Sequence, residues 1–422
     1  MSEILNLNYE KYTLENGLEV VLHKNKSLPV VAVNIWYKVG SANESQGKTG
    51  FAHLFEHMMF QGSENIPKEM HFRYVQEAGG TLNGSTSFDR TNYYETLPAN
   101  SLELALWLES DRMGFLLPAL TEEKLQNQKD VVMNERRQRY ENQPYGQAWE
   151  TVFSNLFPAN HPYNWPTIGW MDDIAKFQLG DVAAFFRKYY SPNNASLVIA
   201  GDFDTEEAKT LVEKYFGEIP AGPVIENIQI QIPSLEGTKE VVLEDNIQLP
   251  RLYLVWISEK LYGPDDASMD VLSDILSGSK NSRLYKSLVH EKQIAQDVSC
   301  FQYSAALSGS FIVVCTAKPG VSLEDLKSEV FSQIDELIKS GCSEREIQRA
   351  VNNYKSSYIY SLQNIETVAD HMNNYNCNLG DPNSFKFDLE RYDKITPEII
   401  KNSAEKYLRK PYVQLSVIPK GK

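Results

Sequence analysis

His53 and His57 stand four residues apart in KTGFAHLFEHMMFQGS, with Glu56 between them. At about 100° per residue, a helix puts His53, Glu56, His57 and Phe60 on one face and turns Leu54, Phe55 and Met58 toward a core. Two neutral imidazoles one helical turn apart suit Zn²⁺ in a tetrahedral site, and a carboxylate beside them lies within reach of a water activated there. His53 and His57 are therefore candidate ligands, and Glu56 is the candidate general base. Thr49 is the expected N-cap of this helix and Gly62 its expected stop. The flanking FA and MMF are apolar, so polar groups set among them without a partner would be buried at a cost.

A catalytic zinc takes three protein ligands and keeps one position open, so another element must contribute. TEEKLQNQKDVVMNERRQRYENQP reads as a long helix, capped by Thr121, acidic in its first turn and closed by Pro144. Glu122, Glu123, Glu135 and Glu141 lie on or near it, and spacing does not choose among them. Between the two helices, TLNGSTSF and TNYYETLP flank Asp89-Arg90 as a hairpin. Gly84 in its first strand lets another backbone come close, and a peptide added to such an edge gains main-chain hydrogen bonds whatever its sequence.

These elements belong to a chain of 422 residues, too long for one ordinary core. Hydrophobic residues make up 42% and charged residues 23%, the balance of a chain that buries cores. A net charge of −15 speaks against nucleic acid or an anionic membrane as partner, and no run approaches the ~18 apolar residues of a membrane span. Cysteines at 300, 315, 342 and 377 are too scattered for a disulfide framework or a CxxC metal site. A reducing, cytoplasmic setting is expected, or a periplasmic one if a signal peptide has been removed. Cys300 and Cys315 read as small core residues, and His23, His71, His161 and His371 as surface or satisfied core residues.

The same order of elements occurs twice. LPVVAVNIWYKVG and LPRLYLVWISEK are matching β-runs, each followed by a helical stretch. SLVIAGDFDTEEAKTLVEKYFGEI and FIVVCTAKPGVSLEDLKSEVFSQIDELI are matching strand-turn-helix units, and each copy ends in a helix, a turn and an apolar strand. The proline- and glycine-bearing stretch near 222–237 has the composition of a linker. The expected division is a catalytic domain at 1–221, the linker at 222–237, and a homologous domain at 238–422. The fold class is α+β, an α/β sandwich in which each domain packs helices on a mainly antiparallel sheet.

HLFEH, AGGTLNGSTSFDRTNYYETLP, DVVMNERRQRYENQPYG and HPYNWPTIGW, in this order, resemble the metallopeptidases typified by pitrilysin, insulin-degrading enzyme and the mitochondrial processing peptidase. These are inverzincins, whose HxxEH reverses the thermolysin order. The resemblance covers essentially the whole chain. It implies one zinc per chain, with His53, His57 and Glu135 as ligands and Glu56 as base. It implies a substrate-binding edge strand at Asn83, Gly84 and Ser85. It also implies an endopeptidase acting on peptides or unfolded segments, its two domains forming half of a clam-shell around a chamber.

The second copy departs from this pattern. Val271, Asp274 and Ile275 stand opposite His53, Glu56 and His57, so no zinc is expected there. The family's arginine and tyrosine, which steady substrate and oxyanion, are His290 and Gln296 here. A family glutamate two turns before the third ligand is Gln128. The resemblance is therefore to the zinc-bearing chain of two-chain bacterial enzymes, and it implies a heterodimer with a zinc-less homologue carrying the pair, with a homodimer as the isolated form. A non-catalytic assembly subunit and a peptide-binding protein are the alternatives.

Overall fold

Short apolar runs separated by turn residues become two sheets in the computed structural model, which describes residues 5–421. The first contains β1 (Glu10–Thr13), β2 (Glu19–Lys24), β3 (Val30–Tyr37), β4 (Thr81–Thr86), β5 (Thr91–Pro98) and β6 (Ala195–Gly201), in the order β1-β2-β6-β3-β5-β4. The second contains β7 (Lys239–Asp245), β8 (Arg251–Ser258), β9 (Ala295–Ser304), β10 (Gly309–Ala317) and β11 (Val413–Pro419), in the order β7-β11-β8-β10-β9. Without β1 the two orders correspond strand for strand, and each sheet is antiparallel except for one pair, β2–β6 and β7–β11, at the same place. The duplicated β-runs read from the sequence are β3 and β8. Both are buried almost throughout, as expected of central strands covered on both faces.

Before the linker the helices are α1 (Phe51–Met58), α2 (Met70–Glu77), α3 (Leu102–Gly114), α4 (Glu122–Arg136), α5 (Ala148–Leu156), α6 (Met171–Lys176), α7 (Leu179–Tyr189) and α8 (Thr205–Phe216). After it come α9 (Asp266–Ser277), α10 (Leu323–Ser340), α11 (Glu344–Ser361), α12 (Ile365–Leu379), α13 (Phe385–Asp393) and α14 (Pro397–Leu408). No helix of the described residues is long and apolar enough to cross a membrane.

The chain forms two compact units, and they depart from a simple division at 222–237. The first holds the chain through Arg136, Trp165–Ile228 and Tyr358–Phe387; the second holds Arg137–Asn164, Gln229–Ser357 and the chain from Asp388. The two copies exchange a helix. α5 precedes the linker yet packs on β8 and β11, whereas α12 follows it and packs on β3, β5 and β6. Amphipathic periodicity marks the face of a helix that must be covered, and it is silent on which sheet covers it.

A charged cluster sits in the core of the first unit. Glu95 on β5, Glu109 and Arg112 on α3, and His71 on α2 are all buried. Arg112 Nε donates to Glu109 at 2.9 Å, its Nη2 lies 3.8 Å from Glu95, and its guanidinium stacks on Tyr93 and Phe60 at 4.4 and 5.0 Å. Burial, reinforced by the charge of Glu109, holds the Glu95 carboxyl well above its usual range. Burial, reinforced by Arg112, holds the His71 ring well below its own. Arg112 is thus the countercharge of the buried Glu109, its hydrogen-bonded partner. Arg112→Met should leave that carboxylate uncompensated at a cost of about 3–5 kcal/mol, read as a lower thermal midpoint. An unchanged midpoint would contradict this role.

Candidate metal centre

The seat of α1 comes first, because its rotation decides where the histidines point. Phe51, Ala52, Leu54, Phe55 and Met58 are buried. Phe51 stacks on Phe177 and Phe185, with centroids 3.9 and 5.3 Å apart, and Phe55 packs against Phe185, Phe186 and Tyr190. Thr49 is not the N-cap. That place belongs to Gly50, whose φ of 99° is left-handed and where a Cβ would meet Ile168 O at 2.8 Å. Thr49 turns instead to Asp173, donating through its backbone N at 3.1 Å and its hydroxyl at 2.8 Å.

The capping acceptor comes from further back. Glu44 accepts from Gly50 N and Ala52 N, one on each carboxylate oxygen, both at 2.8 Å. A carboxylate there satisfies exposed donors and faces the positive end of the helix. Burial pushes the Glu44 carboxyl up to about 8 against the pull of those two bonds. Near the other end of α1, Tyr93 Oη donates to Phe55 O at 3.0 Å. Neither contact was foreseen: Glu44 stands six residues before the cap, outside the usual capping positions, and Tyr93 is remote from the helix in sequence.

α4 packs on α1 and brings Glu135 to the histidines. His57 Nε2 lies 3.2 Å and His53 Nε2 3.8 Å from Glu135 Oε2, and one ligand atom of each residue falls within 4.8 Å of the others. The imidazoles meet edge-on, 4.8 Å between centroids and 72° between planes. Tetrahedral zinc with bonds of about 2.1 Å holds its ligand atoms roughly 3.4 Å apart, so this donor set fits that ion. Of the four acids left open by spacing, Glu135 is the one that joins such a group among the described residues. Gln128, one helical stretch earlier, is buried and donates to Asn127 Oδ1 at 3.0 Å.

Glu56 leaves α1 on the same side. Its Oε2 accepts from Thr86 Oγ1 at 2.6 Å. Burial raises its carboxyl above the usual range and Glu135 adds to the rise, while the Thr86 hydrogen bond, His57 and Arg90 oppose it. β4 crosses close by. A Cβ on Gly84 would meet the Tyr93 ring at 3.1 Å and Glu56 Cγ at 3.3 Å, so glycine lets this strand approach Glu56. Thr86 was not among the residues singled out from the sequence.

Among the described residues β4 is an edge strand of its sheet. Ser87 N donates to Arg90 O at 2.8 Å, and the pairing continues through Ser85↔Asn92 and Asn83↔Tyr94. Antiparallel alternation then turns the backbone groups of Asn83 and Ser85 toward β5 and those of Leu82, Gly84 and Thr86 outward. Of the three residues expected to meet a peptide, Gly84 alone offers its main chain to the open side. Its N–H is held by Asn83 Oδ1 at 2.9 Å.

In the second unit, Val271, Asp274 and Ile275 lie on α9, with Val271 and Ile275 buried. His290 is exposed on the π-helix Tyr285–Glu291, and Gln296 is exposed on β9. Among the remaining histidines, the His23 ring contacts Asn8 O at 2.8 Å and His161 Nδ1 accepts from Tyr163 N at 3.1 Å. The reading as satisfied core residues fails in part: Nε2 of His71 and of His161 is buried with no partner among the described residues.

Two family models match this chain: the insulinase family, peptidase family M16, over residues 19–164, and the peptidase M16 inactive domain over 176–354. A relative named zinc protease PqqE, from Helicobacter pylori, is 31% identical over 365 residues, covering 86% of this chain and 82% of its own. A probable mitochondrial-processing peptidase subunit beta from Arabidopsis thaliana is 23% identical, covering 96% and 77%. The crystal structure of a protease from Helicobacter pylori matches with a TM-score of 0.91 at 28% identity, over 98% of this chain and 100% of that one.

The purified chain should carry about one zinc per molecule. His53→Ala, His57→Ala or Glu135→Ala should each lower zinc content by more than tenfold after dialysis against a weak chelator. Full occupancy in Glu135→Ala would show that another residue completes the site.

Proposed function

Because this chain belongs to peptidase family M16, we propose that it is a zinc-dependent endopeptidase that hydrolyses peptides or unfolded segments. The observation that carries this reading is the convergence of His53, His57 and Glu135 from two helices, with Glu56 on the same face of α1. Bound there, one Zn²⁺ per chain would supply Lewis acidity, polarising a carbonyl and making a water easier to deprotonate.

The chain's own residues do the rest. Thr86 holds Glu56 Oε2, which leaves Oε1 to take the proton of the attacking water and return it to the departing amine. The outward main-chain groups of Leu82, Gly84 and Thr86 would pair with an extended peptide and lay its scissile bond across the ligands. Asn83 and Ser85 would act on it through side chains.

Charge also develops on the carbonyl oxygen, and removing one donor aimed at such an oxyanion typically costs about 10²–10³-fold. His290 and Gln296 replace the arginine and tyrosine that the family resemblance implies. The active form is therefore a heterodimer with a homologous zinc-less chain that brings this pair and closes the chamber. The relative named as a peptidase subunit is in keeping with assembly from two chains. A second reading, a non-catalytic subunit or peptide-binding protein, is favoured by the same replacement; intact ligands and base stand against it.

Glu56→Gln should keep its zinc and fold while losing at least ~10² in the rate of cleavage of an unstructured fluorogenic peptide. Adding the partner chain should raise the activity of the parent by about 10² or more. Full activity of the isolated chain, indifferent to any partner, would refute donation in trans. Zinc-loaded protein that binds peptide without cleaving it, even with the partner, would favour the binding reading.

A further inference from the structure

α12 lies on the face of the first sheet opposite the metal helix, and the side chains it turns toward that sheet are polar. Glu366, Asp370, Asn373 and Asn376 recur at intervals of four, three and three, which is one helical stripe. Glu366 accepts from Thr96 Oγ1 at 3.1 Å, Asn373 donates to Asn34 O at 2.8 Å, and Asn376 donates to Ser196 Oγ at 2.9 Å and to Glu19 at 2.8 Å. A helix that needed only to cover a sheet would place apolar side chains there.

Asp370 is the member that leads somewhere. Its Oδ1 accepts from Trp36 Nε1 at 2.9 Å, Asn92 Nδ2 at 3.1 Å and Asn34 Nδ2 at 3.3 Å. Asn92 is buried, and an amide can be turned either way by its neighbours. A carboxylate only accepts, so it draws the amide nitrogen of Asn92 to itself and leaves Oδ1 facing β4. There Asn92 Oδ1 accepts from Ser85 Oγ at 2.7 Å and from Arg90 Nη1 at 3.0 Å. Arg90 Nη1 also donates to Ser85 O at 2.9 Å and to Ser85 Oγ, with its guanidinium 5.2 Å over the Trp36 ring. Trp36, Asn92 and Ser85 form one row across β3, β5 and β4.

We propose that Asp370, delivered by a helix from the far side of the linker, is a positioning residue for the peptide-docking edge: it orients Asn92, which fixes Ser85 and Arg90 and so holds β4 in place for an incoming strand. The inference rests on the reading of β4 as the docking edge. It goes beyond that reading by making the C-terminal part of the chain responsible for the geometry of the N-terminal site.

The test uses the full chain and two readouts. Asp370→Ala should raise KM for an extended unstructured peptide about tenfold, with kcat within twofold and zinc content unchanged. Asn373→Ala removes hydrogen bonds from α12 to Asn34 on β3 that do not reach Asn92, and it should leave KM within twofold. Amide hydrogen exchange of residues 81–86, measured without peptide, should quicken about tenfold in Asp370→Ala and stay unchanged in Asn373→Ala. Should Asp370→Ala fail to fold, Ser85→Ala breaks the same chain at its surface end and should quicken the peptide-free exchange of residues 81–86 at lower amplitude. Equal effects of the Asp370 and Asn373 substitutions, or a β4 whose exchange and KM ignore Asp370, would overturn the proposal. Faster exchange in a protein whose parent binds no peptide would leave the positioning role standing and remove the docking-edge reading alone.

Discussion

Leu54, Phe55 and Met58 are buried on one side of α1, and this burial holds His53, Glu56 and His57 on the other. Rotating a helix by a single residue's ~100° would bury the histidines and expose phenylalanine, losing about 1.5–3 kcal/mol for each large side chain brought into water. The helix spans only eight residues and could not hold its own register in isolation. It is held by aromatic stacking on α7, by the Glu44 carboxylate at its N-terminal donors and by Tyr93 at Phe55 O. The grouping of His53, His57 and Glu135 from two helices depends on that rotation, since α4 can bring Glu135 to a pair of imidazoles only where they emerge together.

The surroundings follow the same economy of contact. Gly84 and Gly50 stand where a side chain would push β4 away from Glu56 or the 166–169 loop away from the start of α1. Glu95, Glu109 and Arg112 anchor α3 and β5 beneath Tyr93, so the hydroxyl that meets α1 hangs from a buried ionic cluster. On the opposite face α12 ties the same sheet through Asp370, Asn373 and Asn376. The sheet is thus gripped from both faces at β5, one strand in from the edge where a peptide would add.

Much of this was legible in the sequence because it is local. The HxxEH spacing needs only helical geometry, the β4–β5 hairpin needs only a short turn, which falls at Phe88-Asp89, one residue before the expected Asp89-Arg90, and the doubled β-runs appear as β3 and β8 in matching positions. Glu135 was legible only as one acid of four, because its approach to the histidines depends on how α4 crosses α1 and periodicity does not encode crossing. Glu44, Thr86, Tyr93 and Asp370 were not legible at all. Each acts on a residue distant in sequence, or on a backbone group that any side chain would have left in place. The N-cap expectation failed at Thr49 for a related reason. A glycine in the left-handed region displaced it by one residue, and Asp173, remote in sequence, claimed its hydroxyl. The exchange of α5 and α12 was hidden because an apolar stripe names no partner.

Diffraction at the zinc absorption edge from crystals of metal-loaded protein tests the central claim most directly. One anomalous peak per chain should lie about 2.1 Å from a ring nitrogen of His53, a ring nitrogen of His57 and a carboxylate oxygen of Glu135, with Glu56 outside bonding distance. A peak bonded to Glu56 in place of Glu135, or no peak between α1 and α4, would contradict it.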